Sequence, residues 1–478
     1  MQKFTEFLSN VDAHVWGIPM LVLIMGTGLL FTLRMGVLQF RKLGKALKYM
    51  VKNEEDGEGE VTSFGALTTA LAATVGTGNI VGVATAVVIG GPGALFWMIV
   101  AACLGMATKY AEGLLAVKYR ILDENGRALG GPFYYIENGL GTNWKWLAKL
   151  FAFFGACAGA LGTGTITQVN SITSAIGSVF DPKSKHIAFS IGEHSYTWAT
   201  TLAAILVTIC VGLVVIGGIK RIANVASVVV PVMMISYVLC GFTIIIYNIK
   251  EVPHAFAIIV RSAFGLNAVS GGMLGAMMVA LQKGVARGIF SNESGLGSAP
   301  IAAAAAQTKE PVRQGLVSMT GTFLDTIVIC NMTGLAIVLT GSYNVGLEGV
   351  DVTIRAFNKG LPFGSHVGSI MLMLCLTIFA FTTILGWDYY GEKCLEYLTN
   401  RNMKAVRAYR WVYLLAVLLG PFLTLEFVWT FADIFNGLMA FPNLVGLLAL
   451  SGIVVKETKD YFRRLDEGLI DEGFNKKA

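Results

Sequence analysis

Apolar residues run through this chain in long blocks separated by short polar segments. Each block has about the 20 residues that an α-helix needs to cross a lipid bilayer. The pattern predicts an all-α, polytopic membrane protein with eleven transmembrane helices. Their approximate bounds are 15–33, 62–90, 93–120, 144–178, 197–217, 221–247, 266–286, 314–340, 365–392, 407–425 and 428–455.

The second block is interrupted by a polar, glycine-rich segment that reads TVGTGN at 74–79. Backbone that is not helical is tolerated at membrane depth only where it is buried in protein or lines a cavity. A broken helix presents free N–H groups on one side of the break and free C=O groups on the other, which suits an anionic group beside a cation. The segment therefore indicates a transporter of small charged solutes.

The ten blocks after the first divide into two groups of five, and an odd number in each half gives the halves opposite topology. The first block of the second half contains Ser270, Gly271, Gly272 and Gly275, so a second break is predicted there. We expect an N-terminal helix and basic interfacial segment (1–60), two inverted repeats (61–250 and 251–455) and a cytoplasmic tail (456–478). Segment 287–313, rich in small residues, is predicted to be a cytoplasmic loop with a short Ala-rich helix.

The distribution of charge predicts the orientation in the membrane. The chain is 55% hydrophobic and 14% charged, whereas soluble domains carry about 25% charged residues. Of 36 Lys and Arg, the predicted external segments hold only Lys3, Lys183, Lys185, Lys250, Arg261, Arg355 and Lys359. The positive-inside rule therefore predicts an external N-terminus and a cytoplasmic C-terminus. This asymmetry accounts for the net charge of +6 without nucleic acid, and no obligatory protein partner is evident.

A basic segment follows the first predicted span. Arg41, Lys42, Lys45, Lys48 and Lys52 are interleaved with apolar residues. This spacing suits an amphipathic helix on the inner leaflet, with its cations near anionic lipid. An ordinary solvated loop is the alternative.

The predicted spans carry neutral oxygen-bearing side chains where a co-transporter needs them. Na⁺ prefers carbonyl, hydroxyl and amide oxygens, and no Lys or Arg lies near a predicted midplane. Single hydroxyls often bond their own helix instead. Asp325 is the one carboxylate in the middle of a predicted span, and it is either a cation or proton site or a structural acid joining two helices. The spans contain polar residues at Thr74, Thr77, Asn79, Thr163, Thr165, Thr167, Gln168, Asn170, Thr382 and Thr383.

Other classes of protein find less support. The sequence has no H-E-x-x-H, no G-x-S-x-G and no clustered acidic pair, so an enzyme is not indicated. The G-x-G pattern at Gly76 and Gly78 lacks the strand, the third glycine and the later acidic residue of a dinucleotide-binding motif. No organic cofactor is suggested. A channel filter usually repeats a carbonyl or charge motif, and no such repeat is seen.

Four segments carry a family resemblance: GTGNIVGVATAVVIGGPGALFWMIVAACLGMATKYAE (76–112), GVARGIFSNESGLGSAPIAAAAAQT (284–308), FAFTTILGWDYYGEKC (379–394) and GGPFYYIENGLG (130–141). They resemble the alanine or glycine:cation symporter family, and the resemblance extends over about 60–450. It implies a LeuT-type five-plus-five inverted repeat with one extra helix ahead of it and two discontinuous helices. It also implies Na⁺-coupled import of alanine or glycine by alternating access across the cell membrane.

The resemblance implies a set of substrate-binding residues. Thr77 and Gly78 would offer backbone N–H groups to the substrate carboxylate, with the side chain of Asn79 assisting, and Gln168 would face the same pocket. The residues of the predicted second break would line the other side of the substrate and its ammonium group, with Met273 limiting substrate size. Those residues are Gly271, Gly272 and Met273.

The resemblance implies a Na⁺ site as well. Thr382 and Thr383 would supply paired hydroxyls, completed by carbonyls near Ala72, Val75 and Phe379. A second Na⁺ site would require Thr322 or Asp325. The alternative to Na⁺ coupling is an H⁺-coupled amino-acid symporter that uses Asp325.

Overall fold

The computed structural model describes residues 2–52, 57–124, 126–191, 194–266, 272–423 and 425–470. Within them the chain is mostly helical, as predicted, and two short antiparallel hairpins pair β1 (Ile121–Leu122) with β2 (Ala128–Leu129) and β3 (Ile187–Ile191) with β4 (His194–Thr197). The α-helices are α1 (Gln2–Val15), α2 (Ile18–Arg34), α3 (Leu38–Arg41), α4 (Leu43–Val51), α5 (Ser63–Thr74), α6 (Val83–Gly90), α7 (Gly93–Lys118), α8 (Pro132–Leu140), α9 (Lys145–Leu161), α10 (Ile166–Phe180), α11 (Trp198–Val215), α12 (Gly218–Tyr247), α13 (Val252–Ala263), α14 (Met273–Asn292), α15 (Ala299–Ala303), α16 (Pro311–Thr322), α17 (Asn331–Leu339), α18 (Val350–Gly360), α19 (Ser365–Leu398), α20 (Met403–Leu419), α21 (Leu425–Ala449) and α22 (Ser451–Asp466).

Most of the predicted spans correspond to helices that are long and apolar enough to cross a membrane. The described residues contain eight such helices, or up to nine if the bent pair α5 and α6 counts as one span. The other two predicted spans contain α14 and α20, which do not meet the same criteria of length and apolarity. The all-α polytopic fold is thus confirmed, and the count of eleven spans remains a prediction.

The N-terminal helices pack on the outside of the bundle. Helix α1 contacts α21, and α2 contacts α7 and α21. The indole N–H of Trp16, between α1 and α2, donates to the carbonyl of Asp433 at 2.9 Å. Helix α4, formed by the basic segment after the first span, packs on α16, and the C-terminal helix α22 contacts α7, α16 and α21. The basic segment therefore forms short helices rather than an irregular loop.

The predicted break in the second span is present. Helix α5 begins after Thr62, whose hydroxyl accepts the N–H of Gly65 at 3.0 Å as an N-cap. It ends at Thr74 because Val75 is extended. The chain resumes as a π-helical turn, Gly78–Gly82, followed by α6, and the two parts of the span are bent by 51°.

A second break lies at the end of α14, whereas Ser270 and Gly271 of the predicted break lie outside the described residues. Helix α14 runs without interruption from Met273 through Gly275 to Asn292. It ends because Glu293 takes a left-handed conformation (φ 57°), and buried residues 294–298 then lead into the short helix α15. The short Ala-rich helix predicted in this segment is therefore present as α15, and it forms the second part of a broken helix. Its small side chains permit close packing against α5 and α7.

A third interruption separates α9 from α10. The helical pattern stops at Gly162 and resumes at Ile166. The Tyr413 hydroxyl bonds to the exposed carbonyl of Gly164 at 3.0 Å, and Asn436 donates to the hydroxyl of Thr163 at 2.7 Å. Neighbouring helices thus satisfy one backbone carbonyl and one side-chain hydroxyl at this interruption, as polar groups at membrane depth require.

Candidate functional site

The break between α5 and α6 is fully enclosed, since residues 75–79 are all buried. The backbone N–H of Gly76 donates to Asn79 Oδ1 at 2.8 Å, and the N–H of Thr77 donates to Gln168 Oε1 at 3.2 Å. Two donors that lost their helical partners are therefore satisfied by amide side chains. The Thr77 hydroxyl is completely buried and has no hydrogen-bond partner within the described part of the chain.

The residues predicted for Na⁺ converge on the carbonyl side of the same break. The Thr383 hydroxyl lies 3.3 Å from the carbonyl oxygen of Val75 and 3.0 Å from that of Phe379. Thr382 donates to the Phe379 carbonyl at 2.9 Å, and Ala72 is buried on the last turn of α5. The arrangement offers carbonyl and hydroxyl oxygens at the end of a helix whose dipole is negative there.

Gly76 is required by this close approach. A Cβ atom at Gly76 would lie 2.4 Å from the Thr383 hydroxyl oxygen and 3.1 Å from Gln168 Oε1. A larger residue would therefore displace the two side chains that flank the break. The glycine keeps α5, α10 and α19 in contact at this point.

Asp325 adjoins the other side of the break. It lies on the π-helical segment Phe323–Cys330 and is completely buried. Its Oδ1 accepts from the amide of Asn79 at 2.7 Å, and its Oδ2 accepts from the hydroxyls of Ser291 at 2.9 Å and Thr326 at 2.7 Å. No salt bridge to Asp325 is formed among the described residues. It is a fully hydrogen-bonded carboxylate that links both broken helices.

The second break is held by charged side chains of α7. Lys109, 2% exposed, donates to the carbonyl of Asn292 at 2.8 Å, where α14 ends. The carboxylate of Glu112, 0% exposed, accepts the N–H groups of Gly295 at 3.1 Å and Gly297 at 3.2 Å. A cation thus caps free carbonyls and an anion caps free N–H groups, in agreement with the dipoles of the half-helices. The two breaks touch, because Gly78 packs against Ser291.

Two of the predicted substrate residues, Gly272 and Met273, are not brought to this site. Gly271 lies outside the described residues. Gly272 and Met273 are exposed at the start of α14, and Met273 is 18 residues from Ser291, about 27 Å along the helix axis. Of the glycines at the predicted second break, Gly272 directly precedes α14 and Gly275 lies inside it. The structure does bring together Thr77, Gly78, Asn79, Gln168, Thr382 and Thr383.

Sequence reasoning missed Ser291, Lys109 and Glu112. Ser291 belongs to the run SNESGLGS at 291–298, a polar and glycine-rich interruption of the same kind as TVGTGN. That likeness was the signal that could have identified the second break. Lys109 and Glu112 lie within α7 but closer to its end, where charged side chains can ordinarily reach the interface.

One end of the bundle is open above the first break. A cavity of about 460 Å³ is lined by residues that include Val81, Arg287, Trp429 and Asp433. Arg287 forms a bidentate pair with Asp433 at 3.0 and 2.8 Å, and Phe290 packs against Trp429 with ring centroids 5.1 Å apart. Phe290 also contacts the position of Gly78. These side chains separate the cavity from the break.

The packing is tight around the N-terminal part of the broken span, α5. Residues of α5, α7, α15 and α16 enclose a space of only about 10 Å³ there. Lys109 and Thr74 are among them. A solute therefore has a shorter path to the first break from the end of the bundle that carries Arg287 and Asp433.

Comparison with known proteins supports the same interpretation. A model of the sodium:alanine symporter family matches residues 1–476. An uncharacterised transporter of Haemophilus influenzae is 55% identical over 462 residues, covering 96% of each chain. Sodium/alanine symporter AgcS of Methanococcus maripaludis is 46% identical over 468 residues, covering 96% of this chain and 97% of its own. Probable sodium/glutamine symporter GlnT of Bacillus subtilis is 36% identical over 475 residues, covering 98% and 93%.

A solved structure supports the fold alone. The crystal structure of MhsT in complex with L-phenylalanine aligns with a TM-score of 0.56 and 13% sequence identity, covering 83% of this chain and 98% of that chain. This likeness confirms the LeuT-like architecture. Together with the match over nearly the whole sequence, it leads to one conclusion: the chain belongs to the sodium:alanine symporter family, and it is a Na⁺-coupled amino-acid transporter of the cell membrane.

Proposed function

We propose that this transporter imports small neutral amino acids, alanine and glycine, by alternating access, with its N-terminus outside and its C-terminus in the cytoplasm. The observation that carries the proposal is the buried Thr77 hydroxyl without a partner at the first break. A buried polar atom without a partner is costly. A substrate carboxylate at Thr77 and Gly78 would satisfy it, with Asn79 and Gln168 as neighbours.

A buried aromatic ring beside the first break favours substrates with small side chains. Phe290 is 3% exposed, and its ring edge lies 3.4 Å from the Cβ position of Gly78. We assign Phe290, rather than Met273, as the residue that limits substrate size. A pocket that only excludes an extra methylene discriminates by about 1–3 kcal/mol, so steric closure by a buried aromatic ring supports a stricter preference.

Alternating access is supported by the unequal ends of the bundle. The Arg287–Asp433 pair and the Phe290–Trp429 contact lie between the 460 Å³ cavity and the first break. Opening these contacts would admit substrate from the external side. Opening of the tightly packed region around α5 and α15 would then release it to the cytoplasm.

Uptake by the purified full-length chain in proteoliposomes tests the proposal. We expect an inward Na⁺ gradient to drive uptake of L-alanine and glycine, and replacement of Na⁺ by choline to reduce it to background. Glutamine, the substrate named for the relative GlnT, is expected to be taken up at least about tenfold more slowly, because its longer side chain, with an added methylene and a carboxamide, must be accommodated beside Phe290. Faster uptake of glutamine than of alanine would contradict the assigned substrate.

We further propose that the Na⁺ site consists of Thr382 and Thr383 with carbonyls at Ala72, Val75 and Phe379. Thr383→Ala removes a ligand oxygen 3.3 Å from the Val75 carbonyl. A hydrogen bond or ligand to a charged group contributes about 1.5–3 kcal/mol, so the Na⁺ concentration for half-maximal uptake should rise about 10- to 100-fold. Thr399→Ala, which removes a hydroxyl bonded to its own helix, is the control. An unchanged Na⁺ dependence of Thr383→Ala would exclude Thr383 from the site.

Asp325 supports a second candidate, in which a proton accompanies or replaces one cation. The carboxylate is fully buried, links both breaks and forms no salt bridge among the described residues. An inwardly directed proton gradient that restores alanine uptake in choline medium would favour this candidate. The same gradient is expected to have no effect if only Na⁺ drives transport.

A further inference from the structure

A large cavity lies away from the transport site. It has a volume of about 730 Å³ and is bounded by the last turn of α2, by α3 and by α22. No residue of either helix break lines it. Its position at the end of the candidate span Phe7–Arg34 places it at a membrane surface, which is the cytoplasmic surface in the proposed orientation.

The walls of this cavity carry positive charge that the protein does not neutralise. Five basic and two acidic side chains line it. Arg34 donates to the Ser451 hydroxyl at 2.7 Å, and Lys42 lies 4.5 Å from the ring centroid of Phe462. In the described part of the chain, Arg34, Arg41, Lys42 and Lys459 form no salt bridge with a carboxylate. The lining charged residues are Arg34, Arg41, Lys42, Lys459, Arg463, Asp466 and Glu467.

An apolar stripe leads away from the cavity along α2. Val22, Leu29 and Leu33 are 64%, 47% and 68% exposed. Their spacing of seven and four residues puts them on one face of the helix, and Leu33 itself lines the cavity. The stripe extends over about 16 Å, which is about half of the 30 Å hydrocarbon core of a bilayer.

We propose that this cavity binds the phosphodiester headgroup of an anionic lipid of the cytoplasmic leaflet. Arg34, Arg41, Lys42 and Lys459 supply the charge, and an acyl chain lies along Val22, Leu29 and Leu33. Arginine and lysine side chains bind phosphate oxygens through charge-assisted hydrogen bonds, and basic clusters beside a span attract anionic lipid. The site goes beyond the transport function and rests only on the proposed orientation.

The test compares lipid binding to two matched double variants of the full-length chain in zwitterionic nanodiscs. The probe is a fluorescent phosphatidylglycerol, and a phosphatidylcholine probe is measured in parallel. Lys42→Gln with Lys459→Gln should weaken phosphatidylglycerol binding about tenfold. Lys404→Gln with Arg407→Gln removes the same charge from exposed positions of α20 on the same predicted side and should change it less than about twofold.

A single variant tests whether a loss of lipid binding comes from misfolding. Lys459→Gln alone changes one exposed side chain and should still weaken binding about threefold without changing the melting temperature. An equal loss of phosphatidylglycerol binding in the Lys404→Gln, Arg407→Gln control would show general electrostatic adsorption and overturn the proposal. Equal binding of phosphatidylcholine would overturn it as well. Displacement of the probe by soluble glycerol phosphate at comparable concentration would show a site for free phosphate rather than for lipid.

Discussion

Asp325→Asn is expected to reduce the rate of Na⁺-driven alanine uptake about 100-fold. Both carboxylate oxygens accept hydrogen bonds, Oδ1 from Asn79 and Oδ2 from Ser291 and Thr326. An amide of the same shape places an NH₂ group where one of these donors now points. Loss of a hydrogen bond to a charged group costs about 1.5–3 kcal/mol, and the upper part of that range corresponds to about 100-fold. Initial uptake rates, normalised to monodisperse protein in proteoliposomes, measure the effect.

Glu124→Gln is the control for Asp325→Asn, because it removes a carboxylate from an exposed loop position. It should leave uptake within about twofold of the unmodified chain, since substitutions at exposed positions usually have small effects. If Asp325→Asn keeps both its rate and its Na⁺ dependence, the carboxylate only joins α14 to the π-helical segment. That result would favour the structural role that the sequence left open and would remove Asp325 from the ion site.

Lys109→Met is expected to destabilise the folded transporter by about 3–5 kcal/mol. Lys109 is the buried cation whose charge acts on three buried carboxylates, those of Glu112, Glu293 and Asp325. It also caps the carbonyl of Asn292. Removing one partner from a buried set of charges leaves the others uncompensated, which is strongly unfavourable. The apparent melting temperature and the monodisperse fraction after detergent extraction measure the loss.

Lys118→Met provides a matched control on the same helix. Lys118 pairs with Glu457 at 2.9 Å, but both side chains are 29% exposed. An exposed pair of this kind contributes about 0–1 kcal/mol, so this variant should remain close to the unmodified chain. Similar losses of thermal stability in Lys109→Met and Lys118→Met would mean that the second break does not depend on a buried cation.

Much of the fold and half of the site could be predicted from the sequence. The break at 74–79 was predictable because polar residues and glycines interrupt an otherwise apolar span. Thr77, Asn79, Gln168 and Thr383, assigned through family resemblance, do converge in the structure. Their roles in binding remain predictions.

The break after α14 is not predicted from the sequence, for a physical reason. Glycine signals both a break and close helix packing, and sequence alone does not separate the two at 271–275. The real interruption depends on a left-handed Glu293 and on the buried charges of Lys109 and Glu112. These contacts of Lys109 and Glu112 join positions 183 to 185 residues apart, so local periodicity carries no trace of them.

The hydrogen bonds at the first break imply how tightly a ligand is held. Gln168 and Asn79 already occupy the N–H groups of Thr77 and Gly76. In the proposed binding mode, an arriving carboxylate would therefore exchange partners with these amides rather than meet bare peptide groups. The gain in binding free energy is the difference between a charge-assisted hydrogen bond and a neutral one, and the charge-assisted bond is roughly twice as strong. On departure the two amides close over the vacated donors again. In the proposed binding mode, these two side chains would give the moderate affinity and rapid release that a carrier needs for high turnover.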